Sequence, residues 1–228
     1  MIAARLAEIR GRIDAVQRSW DHHVEIVAVT KAFDPPIVDA AVDAGCHAIG
    51  ENYAQDLLSK RDVIEAFAAD RRPRVDFIGH LQSNKVRQLA GLVDRWCTLD
   101  RASLAKEIAK RDPGATVLIQ VNATGEDQKG GCAPDDVDAL LRTCEDLGLV
   151  IVGLLAIGPT GQPPEAAAPA FTTVRRLVDE HDLDVCSMGM TADLEVAVAC
   201  GASSIRVGSA LFGPRPGGPV HQQSIERG

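Results

Sequence analysis

The chain is poor in the residues from which metal centres, disulfide frameworks and membrane spans are built. Its six cysteines, Cys46, Cys97, Cys132, Cys144, Cys186 and Cys200, make no C-x-x-C pair and no regular spacing, a pattern expected of reduced thiols in a cytoplasmic protein. His22-His23 is followed by no histidine or cysteine at ligand spacing, so no metal site is expected. No run approaches the roughly 18 apolar residues a membrane helix requires, and the charged stretch from Met1 to Trp20 lacks the apolar centre of a signal peptide. Basic residues form no block and the formal net charge is −8, which argues against a nucleic-acid groove as the main surface. A small bound anion remains compatible, because backbone amides and one or two cationic side chains suffice. No glycine stands in Ala28-Val29-Thr30-Lys31-Ala32-Phe33, so the dinucleotide-binding G-x-G-x-x-G is absent after the first apolar run. Tyrosine occurs once, at Tyr53.

What is present is a regular alternation. The 228 residues, 46% hydrophobic and 25% charged, suit one domain with a sizeable core. Ile2, Leu6, Ile9, Ile13 and Val16 share one face of an amphipathic helix over residues 1–18. Eight β-rich runs follow, at 24–29, 47–50, 75–79, 95–99, 116–121, 150–157, 184–188 and 204–207. Helical segments lie between them, at 35–44, 54–69, 83–92, 101–110, 134–147, 165–180 and 192–200. Alternation of this kind implies right-handed crossovers and a parallel sheet. The number of units fits a single (β/α)8 TIM barrel with an extra N-terminal helix, and a doubly wound open sheet is the alternative, weakened by the missing glycine motif. Residues 158–164 read as a loop, and residues 214–228 as a tail closing the single domain 1–228.

A barrel places its chemistry at the C-terminal strand ends, and those ends are polar. Lys31 follows an apolar run broken only by Glu25; desolvation there would lower an ammonium's pKa and make a Schiff-base nucleophile. The plainer account is a lysine that opens a loop. Met188-Gly189-Met190-Thr191 and Arg206-Val207-Gly208-Ser209 end the last two strands, where TIM barrels commonly bind phosphate. Thr191 could equally cap the following helix. Arg206 lies within a strand, facing either a ligand or a carboxylate, with Glu51 and Asp193 as the candidate partners. Asn52 and His80 end the second and third strands, and a helix cap or a strand-end hydrogen-bond network would explain them as well as pocket contacts would.

Five ordered stretches, Val27-Ala28-Val29-Thr30-Lys31, Ile49-Gly50-Glu51-Asn52-Tyr53, residues 77–85, residues 187–195 and residues 205–213, resemble the pyridoxal-phosphate homeostasis proteins, small relatives of the alanine racemase barrel. The resemblance implies pyridoxal 5'-phosphate (PLP) held as an internal aldimine on Lys31, Arg206 opposite the pyridine nitrogen, and Thr191, Gly208 and Ser209 on the phosphate, with Asn52, His80, Met188 and Gly189 completing the pocket. It also implies a PLP carrier acting on vitamin B6 and amino-acid pools, exchanging with PLP-requiring apo-enzymes, without robust catalysis. A monomer is expected, since the second racemase domain is lacking. Lys129 corresponds to a lysine with a peripheral PLP contact. Thr191 stands where the family usually has serine, and Leu155-Ala156 replaces an expected Met-Thr pair. The competing activities are a weak PLP-dependent racemase, for which a second base of the racemase kind is missing, and a PLP-free Schiff-base aldolase.

Overall fold

The computed structural model describes residues 1–18 and 20–214, so the expected tail lies outside the described residues apart from Pro214. Eight parallel strands close into a barrel in sequence order: β1 (Glu25–Val29), β2 (Ala48–Glu51), β3 (Arg74–Phe77), β4 (Arg95–Leu99), β5 (Thr116–Gln120), β6 (Val150–Leu155), β7 (Val185–Ser187) and β8 (Ser204–Val207). Closure is made by β1 on β8, with Val27 opposite Arg206 and Ala28 opposite Val207. The helices are α1 (Ile2–Asp14), α2 (Ile37–Asp43), α3 (Ala54–Ser59), α4 (Arg61–Glu65), α5 (Ser83–Leu89), α6 (Ala102–Arg111), α7 (Val137–Asp146), α8 (Ala168–Glu180), α9 (Leu194–Ala199) and α10 (Ser209–Phe212).

Most of the core is the layer between sheet and helices. A smaller cluster of Cys97, Leu118 and Leu155, with Ile78, Val152, Ile157 and Val185 against it, forms a second centre. The two follow from strand alternation: side chains of one parity face the helices, and those of the other face the axis. Gly50 faces the axis, where a Cβ would lie 2.9 Å from Ile78 Cδ1 and 3.1 Å from Val27 Cγ1.

Several expectations change in detail, among them the N-terminal helix expected over 1–18, which ends at Asp14. The helix expected over 54–69 is split at Lys60, whose side chain turns into the sheet and is fully buried. A short helix, α10, opens directly on Ser209, too brief to produce apolar periodicity in the sequence.

The N-terminal helix buries Leu6, Ile9 and Ile13, each contributing about 1.5–3 kcal/mol by transfer from water. It packs on α9 and α10, the helices that follow the last two strand ends. Arg12 of α1 donates to Glu195 at 2.6 and 2.9 Å and to the Thr191 carbonyl at 3.2 Å. The extra helix therefore braces the loop that carries Thr191.

Candidate functional site

The loops after β7 and β8 meet at the mouth of the barrel. Gly189 adopts φ +93°, and a Cβ there would lie 2.5 Å from the Ala197 Cβ; only glycine lets the chain turn so close to α9. Its carbonyl accepts the Arg206 N–H at 3.0 Å, which ties the two loops together. Asp193 caps the turn by accepting the Met190 N–H at 2.6 Å. Thr191 Oγ1 and Ser209 Oγ come to 3.4 Å of each other from positions 18 residues apart, while the first amides of α10 have no intrahelical acceptor. Two hydroxyls with free helix-start amides constitute an anion-binding arrangement.

Arg206 is buried within the barrel, with Nη1 donating to Ser187 Oγ and Nη2 to the Ala156 carbonyl, both at 2.8 Å. Glu51 and Asp193 are committed elsewhere, to Lys60 with Thr30 and to the Met190 amide, so the ion-pair account of Arg206 does not hold. Burial pulls the guanidinium down to about 10, leaving it cationic at neutral pH. Its two hydrogen bonds go to neutral oxygens. At Ala156, where the resemblance leads one to expect threonine, the contact made to Arg206 is through the backbone carbonyl.

Thr30 and Lys31 end β1. Thr30 is fully buried, its hydroxyl donating to Glu51 Oε1 at 2.6 Å and its N–H to the Gly50 carbonyl at 3.1 Å. Lys31 is half-buried, and the residue after it, Ala32, has φ +61°. A non-glycine residue in that region costs about 1–2 kcal/mol and needs outside support. The support is Asp56 of α3, whose Oδ2 accepts the Ala32 N–H at 2.9 Å. Phe33 then packs on Phe212 of α10, with ring centroids 5.4 Å apart, joining the lysine loop to the anion side.

Asn52 presents a buried Oδ1 with no hydrogen-bond partner. An orphaned acceptor of this kind costs about 1–3 kcal/mol and fits a site whose remaining partner is a ligand. Its backbone is pressed against Gly79, where a Cβ would lie 1.9 Å from the Asn52 carbonyl oxygen. His80 stands further out on the rim, 68% exposed, with Nδ1 3.9 Å from Asp100 Oδ2. Met188 is not brought to the mouth by its side chain: that is fully buried, with Sδ 3.7 Å from Cys186 Sγ. Lys129 bridges two loops, donating to Glu126 Oε1 at 2.7 Å and to the Gly158 carbonyl. Arg12, Asp56, Lys60 and Ser187 escaped the sequence reading, since each acts through a neighbour that sequence spacing does not reveal. No cluster of metal-ligating side chains occurs among the described residues.

The family described as alanine racemase, N-terminal domain, matches residues 4–216. Among curated proteins, a pyridoxal phosphate homeostasis protein of Pseudomonas aeruginosa is 37% identical over 224 residues, covering 94% of this chain and 96% of that one. One from Aquifex aeolicus is 35% identical, covering 92% and 97%. Among solved structures, PipY of Synechococcus elongatus without PLP has a TM-score of 0.81 at 30% identity, covering 93% of this chain and all (100%) of that chain. The same protein with PLP bound gives 0.78 at 28%. An alanine racemase of Corynebacterium glutamicum, TM-score 0.71 at 14% identity, shares the fold, and this chain spans 60% of its length. The barrel, the braced strand ends and these matches agree, and the chain belongs to the pyridoxal phosphate homeostasis proteins, within the alanine racemase N-terminal domain family.

Proposed function

We propose that this protein binds pyridoxal 5'-phosphate and serves in its homeostasis as a carrier. The observation that carries the reading is the joining of one mouth from three parts: the Thr191–Ser209 hydroxyl pair at 3.4 Å, the buried Arg206 bonded only to neutral oxygens, and Lys31 on the neighbouring strand end. Bound PLP supplies an aldehyde that condenses with an amine and a ring that withdraws electrons. Thr191, Gly208 and Ser209 hold the phosphate, Lys31 provides the amine, and Arg206 faces the ring nitrogen. A guanidinium there disfavours protonation of that nitrogen, which weakens the ring as an electron sink. Asn52 Oδ1, buried and otherwise without a partner, accepts a ligand hydrogen bond.

Racemisation needs a second base across the substrate from the lysine. The single tyrosine, Tyr53, is 59% exposed at the start of α3 and offers no such base. The relatives are named as homeostasis proteins rather than enzymes, and absence of robust turnover is part of this proposal. So are a cytoplasmic location, a monomeric state and delivery to apo-enzymes; a mass in solution of twice 24.2 kDa would overturn the monomer.

The test is the absorption spectrum of the purified protein with PLP added, before and after borohydride, beside Lys31→Ala. A violet band that borohydride fixes onto Lys31, absent from the variant, is expected. A wild-type protein without the band would remove the PLP reading and favour a phosphate-sugar aldolase.

A further inference from the structure

Lys31 is gripped from both sides by one short stretch of chain, residues 56–60. On the N-terminal side, Lys60 Nζ donates to the Thr30 carbonyl at 2.8 Å and to Glu51 Oε1 at 2.5 Å, and Thr30 Oγ1 donates to the same carboxylate oxygen at 2.6 Å. All three side chains are fully buried. On the C-terminal side, Asp56 Oδ2 accepts the N–H of Ala32 at 2.9 Å and, together with the turn bond from the Phe33 N–H to the Thr30 carbonyl at 3.3 Å, holds that residue at φ +61°.

Neither contact is explained by stability alone. A lysine and a glutamate removed from water are costly to bury even as a pair, and an apolar pair of similar volume would commonly fill such a space at no loss. Burial pushes the Glu51 carboxyl up in spite of the ammonium beside it. What an apolar pair could not do is donate to the carbonyl of the residue before Lys31. Likewise, a relaxed loop would not place a non-glycine residue in the left-handed region directly after Lys31. Both features fix the two peptide units that flank one lysine, and both come from the turn where the expected helix breaks.

We propose that Asp56 and Lys60 are positioning residues for Lys31: by locking the peptide units on either side, they present its amine to the incoming aldehyde in one orientation. This rests on Lys31 being the PLP attachment point. Glu51 is the anchor that keeps Lys60 turned inward. The side chains of Lys60 and Glu51 lie between sheet and helices, while the PLP pocket opens at the mouth, so their effect on the cofactor passes through the backbone.

The experiment uses full-length Asp56→Ala, Asp56→Asn and Lys60→Met. Three quantities are followed: amide exchange at Ala32 without PLP, acetylation of Lys31 by limiting acetic anhydride relative to the exposed Lys106 and Lys110, and the growth rate of the violet band when PLP is added. Loss of one hydrogen bond predicts exchange at Ala32 about tenfold faster in Asp56→Ala, with band growth slowed by about the same factor. Asp56→Asn keeps an acceptor and stays within about twofold of wild type on the same argument. Lys60→Met slows band growth as Asp56→Ala does, and both variants lower Lys31 acetylation relative to Lys106 and Lys110. Should Lys60→Met fail to fold, the two Asp56 variants decide the matter. A folded Asp56→Ala with wild-type acetylation and band growth overturns the proposal whatever its exchange rate, as does an Asp56→Asn that falls with it. A wild-type protein that never develops the band defeats the PLP reading, whereas exchange and acetylation in the PLP-free protein still decide whether residues 56–60 control Lys31.

Discussion

The two ends of the barrel treat buried charge in opposite ways. At the N-terminal end, Glu25, Arg74, Asp76 and Arg95 close on one another. Arg74 grips Glu25 with both terminal nitrogens at 2.7 Å and Asp76 at 2.8 and 3.1 Å, while Arg95 joins Asp76 and lies 3.4 Å from Glu25. Burial alone would raise the Glu25 carboxyl, yet the two guanidinium groups hold it below the usual range. Acids and bases are equal in number there, and the charge cancels inside the protein. At the C-terminal end, Arg206 is buried without a carboxylate hydrogen-bond partner, hydroxyls gather at the opposite loop, and Asn52 keeps an unmet acceptor. One end balances its charges within itself, although Arg95 Nε and Ser204 Oγ are without a partner there; the other leaves a buried guanidinium bonded to neutral oxygens. The same chemistry thus serves stability below and binding above, as the barrel architecture leads one to expect.

The strongest way to break this comparison is to remove a partner below. Asp76→Ala leaves Arg95, 6% exposed at its side chain, facing an incomplete network, and a buried pair deprived of one member costs about 3–5 kcal/mol. Urea unfolding should show that loss, while the folded fraction takes up PLP as the wild type does. A loss below about 1 kcal/mol, the value of an exposed pair, would mean that the lower network is not structural.

Above, the effects should be reversed in kind. Arg206→Met strips donors from Ser187 Oγ and the Ala156 carbonyl, costing about 1–3 kcal/mol for the orphaned acceptors, less than Asp76→Ala. Its larger consequence is for the ligand: PLP retention falls about tenfold or more, on the scale of one lost charge-assisted contact, and the violet band moves. Equilibrium dialysis and the spectrum separate the two. Equal instability in Arg206→Met and Asp76→Ala, with unchanged PLP binding, would erase the distinction between the ends.

The upper side of this contrast was legible in the sequence, for a physical reason, whereas the pairing of Glu25, Arg74, Asp76 and Arg95 was not. Strand ends in a barrel are polar where a site lies, so apolar runs that stop at Thr30-Lys31 or Arg206-Val207-Gly208-Ser209 mark the strand ends and the candidate site. Juxtapositions across the mouth, such as Thr191 with Ser209, follow once the barrel is assumed. Contacts that depend on side-chain direction do not. Lys60, in an amphipathic segment, has the pattern of a surface lysine, and only the fold shows its ammonium turned inward. Arg12 reaches the Thr191 carbonyl across 179 residues, a relation no local pattern encodes. The direction of the Met188 side chain follows from parity: Ser187 faces Arg206 on the axis, so its neighbour faces the helices.

The anion side can be sharpened by smaller changes. Thr191→Ala and Ser209→Ala each leave stability within about 0.5 kcal/mol, as is usual for accessible positions, and each weakens PLP about fivefold to tenfold for one lost hydrogen bond. Because the hydroxyls are 3.4 Å apart, the double variant should lose less than the product of the single losses. Strict multiplicativity in dialysis would show that the two do not share one phosphate.

The smallest effect concerns the loop beside the mouth and separates the two ends by pH. Glu126 accepts Lys129 Nζ at 2.7 Å and the Thr160 N–H at 3.0 Å, and these hydrogen bonds, the lysine's first, lower its carboxyl to about 2, well below the usual carboxylate range. A depressed acid favours the folded arrangement above its unfolded pKa and loses that support as pH falls toward its folded one. The contacts between the β5 and β6 loops should therefore weaken between pH 4.5 and about 2. The carboxylate is at the surface, so the outcome is local opening with the barrel intact. Amide exchange at Thr160, corrected for the intrinsic pH dependence, should rise across that window in wild type and show no such step in Glu126→Gln. Protection at Thr160 that fell only together with the strand amides at Val75 and Asp76 would show instead that the mouth and the lower network open as one unit.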